Sequence, residues 1–254
     1  MAELKDKVAV ILGASSKAGI GEAIARIYTE EGAKVMLSGR KVEPLKSLAD
    51  ELNGAYETCD ITKESDIENL FKAAVDKYGK VDIAVNAAGV NAPGPISALT
   101  QESLQFMCDL SFIGPTLFIK QAAAAMEGGG SIITLSSVTA ELVGANLGAY
   151  AGTKSGVDKI VQIAALEYGK KGIRVNSLSP GLTRTPMTEA FFQMGSAIDA
   201  FVKETPIGRM PTVDDVAFSA LYLASDRCIA TGDLIRVSGG SHTRRIPTYE
   251  EMGF

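Results

Sequence analysis

Strand-like runs alternate with amphipathic stretches along almost the whole chain, and this alternation restricts the fold more than any other feature. The seven strand-like runs lie at 7–12, 34–38, 56–59, 81–86, 131–136, 173–179 and 233–238. Helical patterns separate them, from a glycine-rich turn to about residue 31 and then at 43–52, 64–78, 101–126, 150–168 and 213–224. The alternation predicts one doubly wound α/β domain over 1–254, a seven-stranded parallel sheet with helices on both faces. Ligands of such sheets bind beyond the carboxyl ends of the strands.

Composition removes several classes of function. A net charge of −5 argues against broad attraction to nucleic acid, and no apolar stretch reaches the 18 residues that a membrane helix needs. The first residues lack a secretory signal, and Cys59, Cys108 and Cys228 are odd in number, which predicts reduced thiols in the cytoplasm. His242 is the single histidine, so we expect no His-based metal site, and no G-x-S-x-G motif presents a hydrolase serine.

A glycine-rich loop follows the first predicted strand and opens the first predicted helix. Glycines let the backbone approach a pyrophosphate, and a helix N-terminus favours its negative charge. Glycines also make plain turns, but the place directly after the first strand favours a dinucleotide site. The residues predicted to form it are Gly13, Ser15, Ser16, Lys17, Gly19 and Ile20.

The end of the second predicted strand bears on the choice of cofactor. It reads Ser38-Gly39-Arg40-Lys41, without the carboxylate that usually accepts from the adenosine ribose hydroxyls. Arg40 instead offers a fork for a phosphate. The sequence therefore favours NADP(H) over NAD(H).

Ser137, Tyr150 and Lys154 form the candidate catalytic group. Tyr150 and Lys154 are four residues apart in a predicted helix, so they share one face. A neighbouring cation favours the phenolate and is expected to lower the pKa of Tyr150. The pair then exchanges a proton with a substrate oxygen that the Ser137 hydroxyl holds.

Together these motifs resemble the short-chain dehydrogenase/reductase family over nearly the whole chain. Further matching segments are Cys59–Thr62, Asn86–Gly89, Asn176–Thr185, Pro206–Arg209 and Thr231–Gly232. The resemblance implies a Rossmann-like fold and a nicotinamide cofactor, with Lys154 gripping the nicotinamide ribose beside Tyr150. The other cofactor-binding residues that it implies are Asp60, Ile61, Asn86, Ala87, Ala88, Gly89, Pro180, Gly181, Thr183 and Thr185.

The chain departs from the family pattern at three places. Five residues separate Gly13 from Gly19, two more than in the usual loop and similar to the enoyl-reductase branch, although Tyr150 and Lys154 keep the carbonyl-reductase spacing. Ser111 stands where the family has the asparagine of a catalytic tetrad, which helps hold a water linking the lysine to solvent. The late D-G-G motif reads Ser238-Gly239-Gly240.

The resemblance implies reversible hydride transfer between NAD(P)(H) and a secondary alcohol or ketone, with NADPH-dependent reduction of an apolar or mid-sized small molecule favoured. The alternative is a cofactor-binding sensor or scaffold of the same fold, which the substitution at Ser111 keeps open. Residues 186–211 are either a lid over the substrate or ordinary packing. The tail, 243–254, either covers a neighbouring subunit's site or is a disordered end. A homo-oligomer, a tetramer or a dimer paired through the helices 101–126 and 150–168, is expected.

Overall fold

The computed structural model describes residues 2–90 and 92–253. Within them the strands are β1 (Val8–Leu12), β2 (Lys34–Gly39), β3 (Ala55–Thr58), β4 (Ile83–Asn86), β5 (Gly130–Leu135), β6 (Ile173–Pro180) and β7 (Leu234–Val237). The helices are α1 (Ile20–Glu30), α2 (Val42–Leu52), α3 (Glu64–Tyr78), α4 (Gln101–Cys108), α5 (Gly114–Ala125), α6 (Gly148–Tyr168), α7 (Glu189–Phe192), α8 (Gly195–Lys203), α9 (Val213–Ala224) and α10 (Tyr249–Met252).

All seven strands are parallel and lie in the order β3-β2-β1-β4-β5-β6-β7. The order reverses at β1 and β4, where Leu12 aligns with Ser38 on one side and with Asn86 on the other. The loops after β1, β2 and β4 therefore start side by side at one edge. This confirms the predicted doubly wound α/β fold, and the crevice at the reversal is where such sheets bind ligands.

Two apolar cores cover the two faces of the sheet. On one face α1, α2 and α9 pack against the strands, and the buried hydroxyl of Tyr28 in α1 donates to the carbonyl of Ala220 in α9 at 2.9 Å. On the other face lie α3, α5 and α6, with the rings of Phe71 and Phe118 5.1 Å apart. No helix in the described part of the chain is long and apolar enough to cross a membrane.

The long helix predicted over 101–126 is interrupted, which corrects the sequence reading. Five residues, Asp109–Ile113, form a π-helical turn between α4 and α5. Pro115 has no N–H, so it cannot give the carbonyl of Ser111 its normal helical hydrogen bond, and the register widens there. The interruption places Ser111 inside the turn and buries it.

The segment after β6 and the tail form one additional layer in this same chain. The segment contains α7 and α8, and α10 of the tail packs on α8 through Met252, with Ala197 and Ala200 opposite it. The tail through residue 253 is thus packed against its own chain, which contradicts the expectation of a disordered end. Phe254 lies outside the described residues.

Candidate functional site

A cleft of about 620 Å³ lies at the carboxyl ends of the strands, over the point where strand order reverses. Its walls come from the loops after β1, β2, β3, β4, β5 and β6, from the start of α6, and from α7, α8 and the tail. The volume is within the usual range for small-molecule sites.

The glycine loop forms one wall of the cleft. Gly13 has φ +97°, and an added Cβ there would lie 2.5 Å from the Ala87 carbonyl carbon, so only glycine lets the loops after β1 and β4 approach this closely. Gly19, the N-cap of α1, has no side chain to bond the free amides of the first turn. Those amides and the positive end of the helix form a site for an anion such as a pyrophosphate.

Most predicted residues of the loop line the cleft, but Lys17 does not. Gly13, Ser15, Ser16, Gly19 and Ile20 are lining residues. Lys17 is exposed, and its charge acts instead on Glu51 at the end of α2.

The loop after β2 supplies two cations to the cleft lining, Arg40 and Lys41. Asp60, after β3, also lines the cleft; burial opposes its ionisation, but the hydrogen bonds from Thr62 and the charge of Arg40 hold its pKa below the usual value. An added Cβ at Gly39 would lie 2.4 Å from Ser15 Oγ. A side chain at residue 39 therefore displaces the glycine loop, and cofactor preference is better tested at Arg40.

The turn after β4 lines the cleft with Ala87, Ala88 and Gly89, and Ile61 lies near them. Asn86 itself is buried beneath the lining, where its Oδ1 accepts from the amide of Ala88 at 3.1 Å. Its side chain shapes the turn and does not form part of the cleft surface.

Ser137 and Tyr150 meet inside the cleft. Ser137 follows β5, Tyr150 stands in the first turn of α6, and the two side chains share a hydrogen bond. The hydroxyl of Thr139 donates to Ser137 Oγ at 2.9 Å and its amide does so at 3.2 Å. With its oxygen accepting from Thr139, Ser137 directs its own proton toward the phenol or a substrate oxygen.

Lys154 is only 5% exposed and lies one turn after Tyr150. Its ammonium donates to the carbonyl of Leu135 at 2.5 Å and lies 5.7 Å from the centre of the Tyr150 ring. Burial lowers the pKa of Lys154 to about 8, partly opposed by the negative charge of Asp158.

The predicted depression of the Tyr150 pKa is not found. Burial raises the pKa of Tyr150, and the hydrogen bond from Ser137 offsets only part of that rise. Lys154 lies over the ring and bonds Leu135, so it does not stabilise a phenolate oxygen directly. The phenol therefore keeps its proton at neutral pH and is set to act as an acid.

Asp158, one further turn along α6, is a partly buried acid that the sequence reading missed. Its Oδ2 accepts from the hydroxyl of Ser136 at 2.6 Å, and its Oδ1 has no partner in the described part of the chain. Burial raises the pKa of Asp158 against the Ser136 hydrogen bond and the charge of Lys154. The other charged groups near it are Glu141 and Arg236, which pair with each other at 2.5 Å.

The segment after β6 closes the opposite end of the cleft. Pro180, Gly181, Thr183 and Thr185 line it as predicted. The Thr188 hydroxyl donates to the carbonyl of Thr183 at 2.6 Å and accepts from the amide of Thr185 at 3.0 Å, which fixes the backbone there.

The lid and packing interpretations of 186–211 each describe part of the segment. Met187 and Phe191 line the cleft, whereas Met194 packs in a small cluster with Phe201, and Phe192 lies under the guanidinium of Arg184. Lining residues that the sequence reading missed include Val90, Leu110, Val138, Thr139, Leu147, Pro186, Thr188, Phe201 and Ile246.

Ser111 is 2% exposed and does not line the cleft. Its hydroxyl makes no hydrogen bond in the described part of the chain. The π-helical turn that carries it packs on α6, since an added Cβ at Gly156 would lie 3.0 Å from the Phe112 ring. A buried hydroxyl without a protein partner is a place where a water binds.

Comparisons with known proteins find that this chain is similar to oxidoreductases. A family model described as Enoyl-(Acyl carrier protein) reductase matches residues 13–242. A mitochondrial borneol dehydrogenase of Lavandula x intermedia is 37% identical over 243 residues, covering 93% of this chain and 91% of the relative. A momilactone A synthase of Oryza sativa subsp. japonica is 36% identical over 251 residues, covering 94% and 90%. A solved short-chain type dehydrogenase/reductase from Mycobacterium ulcerans superposes with a TM-score of 0.94 at 35% identity, covering 99% of this chain and 95% of that one.

The unpartnered hydroxyl of Ser111 generates the first prediction. We expect Ser111→Ala to lower turnover, because a water bound at this hydroxyl, between Lys154 and solvent, loses one hydrogen bond. Ser111→Asn keeps a donor and an acceptor at this position and should keep or raise turnover. The measurement is kcat for the three proteins at saturating cofactor. Equal kcat in wild type and Ser111→Ala would show that the relay bypasses this side chain.

Lys154 generates a prediction on pH. If the charged ammonium is the active form, activity falls as pH rises through about 8, because burial lowers the pKa of Lys154 while that of Tyr150 is raised. Asp158→Asn removes the negative charge that supports the ammonium, so the pKa of Lys154 falls further and the alkaline limb moves to lower pH. Profiles of kcat/KM against pH measure the shift, with the exposed Asp214→Asn as control. An unmoved limb in Asp158→Asn contradicts the assignment.

Proposed function

This chain belongs to the short-chain dehydrogenase/reductase family, and we propose that it is an NADPH-dependent reductase of uncharged, apolar ketones that also oxidises the corresponding secondary alcohols. The observation that carries the proposal is the convergence of Ser137, Tyr150 and Lys154 in the cleft that the glycine loop lines. The family's enzymes are nicotinamide-dependent oxidoreductases of alcohols and carbonyls.

The cleft fits a dinucleotide. The glycine contact between Gly13 and Ala87 and the uncapped N-terminus of α1 suit a pyrophosphate, and Arg40 and Lys41 lie beyond β2 on the side expected for the adenosine ribose. We assign Arg40 to the 2′-phosphate of NADP(H), because neither Ser38 nor Gly39 offers a carboxylate. A bound nicotinamide supplies or accepts the hydride in this family of reactions.

The protein's own part of the reaction is the proton and the oxygen. During reduction Tyr150 donates its proton to the substrate oxygen, and the Ser137 hydroxyl, positioned by Thr139, donates a hydrogen bond to the same atom. Lys154 places its positive charge 5.7 Å from the centre of the Tyr150 ring, where it stabilises the negative charge that develops as the phenol gives up its proton; solvent then returns a proton to the phenolate. A raised pKa of Tyr150 keeps the phenol protonated near neutral pH, which supports its role as the proton donor during reduction.

The first prediction on this function concerns the proton donor. Tyr150→Phe removes the hydroxyl and keeps the ring, so turnover should fall by a factor of about 10² or more, while NADPH affinity stays near the wild-type value. Consumption of NADPH with a panel of ketones measures turnover, and calorimetry measures cofactor affinity.

Tyr168→Phe, at the far end of the same helix, is the matched control. Near-normal turnover in Tyr150→Phe would refute the mechanism. A wild type that binds NADPH and reduces no ketone would favour the sensor or scaffold interpretation instead.

Cofactor choice is tested at Arg40. A charge-assisted arginine–phosphate contact contributes about 1.5–3 kcal/mol, or roughly ten- to a hundredfold in the NADPH/NADH ratio of kcat/KM. Arg40→Gln should lose that preference by raising the KM for NADPH alone. Lys17→Gln is the control, because Lys17 is a cation of the glycine loop after β1 and does not line the cleft. A wild type that prefers NADH would overturn the assignment.

We also propose a homo-oligomer, a dimer or tetramer, in the cytoplasm. Large apolar side chains stand exposed on the two helices expected to pair: Leu104, Phe106 and Ile113 along α4 and the π-helical turn, and Ile163 and Leu166 on α6. A second copy would cover this surface. The thiols of Cys59, Cys108 and Cys228 are free, in keeping with a reducing compartment.

A further inference from the structure

We infer that the tail of this same chain closes the substrate end of the cleft, and that Ile246 within it is a specificity-determining residue for bulky, uncharged alicyclic alcohols and ketones. The inference rests on the proposed function and names the substrate class of that site. Three kinds of observation support it: the contacts that hold the tail in place, the cleft residues that the tail supports, and the side chains around Ile246.

The side chain of Ile246 faces the cleft and is one of its lining residues. It also packs on the loop that leads into the catalytic helix, since an added Cβ at Gly144 would lie 2.9 Å from Ile246 Cδ1. The next residue, Pro247, is buried and has a restricted backbone. Ile246 is therefore held at the rim of the site from both sides.

Arg245 fastens the tail to the segment after β6. Its guanidinium pairs with Glu204, just after α8, at 2.8 Å and with Glu251 of α10 at 2.6 Å. Arg245 thus joins the C-terminal end of α8 to α10 of the tail. Exposed ion pairs are individually weak, but Arg245 bonds both oxygens of Glu251, a fixed geometry.

An apolar contact completes the attachment. Met252 is buried against Ala197 and Ala200 of α8, and Phe191 and Phe201 pack on the same cluster. Both phenylalanines also line the cleft. The tail therefore supports the two aromatic walls of the substrate end as well as supplying Ile246.

The tail also reaches the wall that carries the catalytic tyrosine. The side-chain amide of Asn146 donates to the hydroxyl of Tyr249 at 2.7 Å, and Leu147, the next residue, lines the cleft directly before α6. The tail thus connects the loop before Tyr150 with α8, and the three together surround the substrate end.

The chemistry of this end selects the substrate class. Most side chains there are apolar: Leu147, Met187, Phe191, Phe201 and Ile246. The polar ones, Thr185 and Thr188, are uncharged, and their hydroxyls share a contact of 3.2 Å. The charged residues of the lining, by contrast, are Arg40, Lys41 and Asp60 after β2 and β3, and Lys154 beneath the tyrosine. A charged substrate group held at the apolar end would be desolvated without a partner, which is costly. A compact hydrocarbon skeleton bearing one oxygen fits both the apolar wall and the Ser137–Tyr150 pair.

Ile246→Ala tests the inference through a ratio of substrates. The probes are borneol, a bulky bicyclic alcohol, and cyclohexanol, a smaller monocyclic alcohol with less apolar surface to pack on Ile246. We expect the borneol/cyclohexanol ratio of kcat/KM to fall about tenfold or more, because a pocket that loses apolar contacts discriminates less. Val143→Ala is the matched control: Val143 is β-branched, lies in the neighbouring loop and is 93% exposed. An unchanged ratio in Ile246→Ala overturns the specificity role.

A second pair of variants tests the attachment without using turnover. Arg245→Gln should speed amide hydrogen exchange in 187–203 several-fold, whereas Arg244→Gln, its exposed neighbour, should not. Equal exchange in these two variants overturns the closing role of the tail. A wild type that oxidises neither alcohol with either cofactor refutes the proposed function instead. In that case hydrogen exchange still tests the closing role of the tail. Calorimetry then tests Ile246, because Ile246→Ala should weaken the binding of borneol to the complex of protein and cofactor.

Discussion

The parallel direction of all seven strands is the constraint on which the site depends. Because every strand ends at the same edge, the loops after β1, β2, β3, β4, β5 and β6 meet around one cleft. The register sets Leu12 beside both Ser38 and Asn86, so the glycine loop, Arg40 and the turn at Ala87 lie next to one another. The close contact between Gly13 and Ala87 at this edge admits no side chain, which explains why glycine stands there.

The electrostatics of the catalytic group follow from burial on α6. Tyr150, Lys154 and Asp158 follow one another at helical spacing, so an acid, a cation and an anion form one column beneath the cleft. Taking Lys154 out of water lowers its pKa, and the Leu135 carbonyl and the charge of Asp158 compensate in part. Burial acts on the Tyr150 pKa in the opposite direction, because it disfavours the phenolate. Both groups are held near the protonation states that the proposed reduction requires.

The proposed substrate end of the cleft is built differently from the proposed cofactor end. Backbone amides and glycine contacts form the wall at the glycine loop, whereas the far wall is built from side chains on α7, α8 and the tail. These elements are joined by one apolar cluster and the two ion pairs of Arg245. Substitutions in this outer layer can change the shape of the pocket while the sheet and the catalytic column stay in place.

The sequence alone determined the fold and most of the cleft. Continuous apolar runs mark the buried parallel strands and period-3.6 patterns mark the helices, so the strands and the helices α1, α2, α3, α6 and α9 were predictable to within one or two residues. Gly13, Tyr150 and Lys154 were identifiable because local geometry, a tight turn and one helical turn, fixes their roles. The π-helical turn had a signal in Pro115, which removes one helical hydrogen bond, but the pattern of apolar residues does not register it.

Only the tertiary structure decided the pKa of Tyr150, the place of Lys17 and the course of the tail. A pKa depends on burial and on which neighbours a side chain reaches, and Lys154 proved to bond Leu135. Lys17 is exposed and lies outside the cleft lining, a position that depends on the path of the loop in space and not on its place in the sequence. Ile246 belongs to a stretch without periodicity, and its position is set by the contacts of Arg245 and Met252 with α8 and its C-terminal end, which are distant in sequence. Long-range contacts of this kind leave no local pattern, so sequence reasoning could not find them.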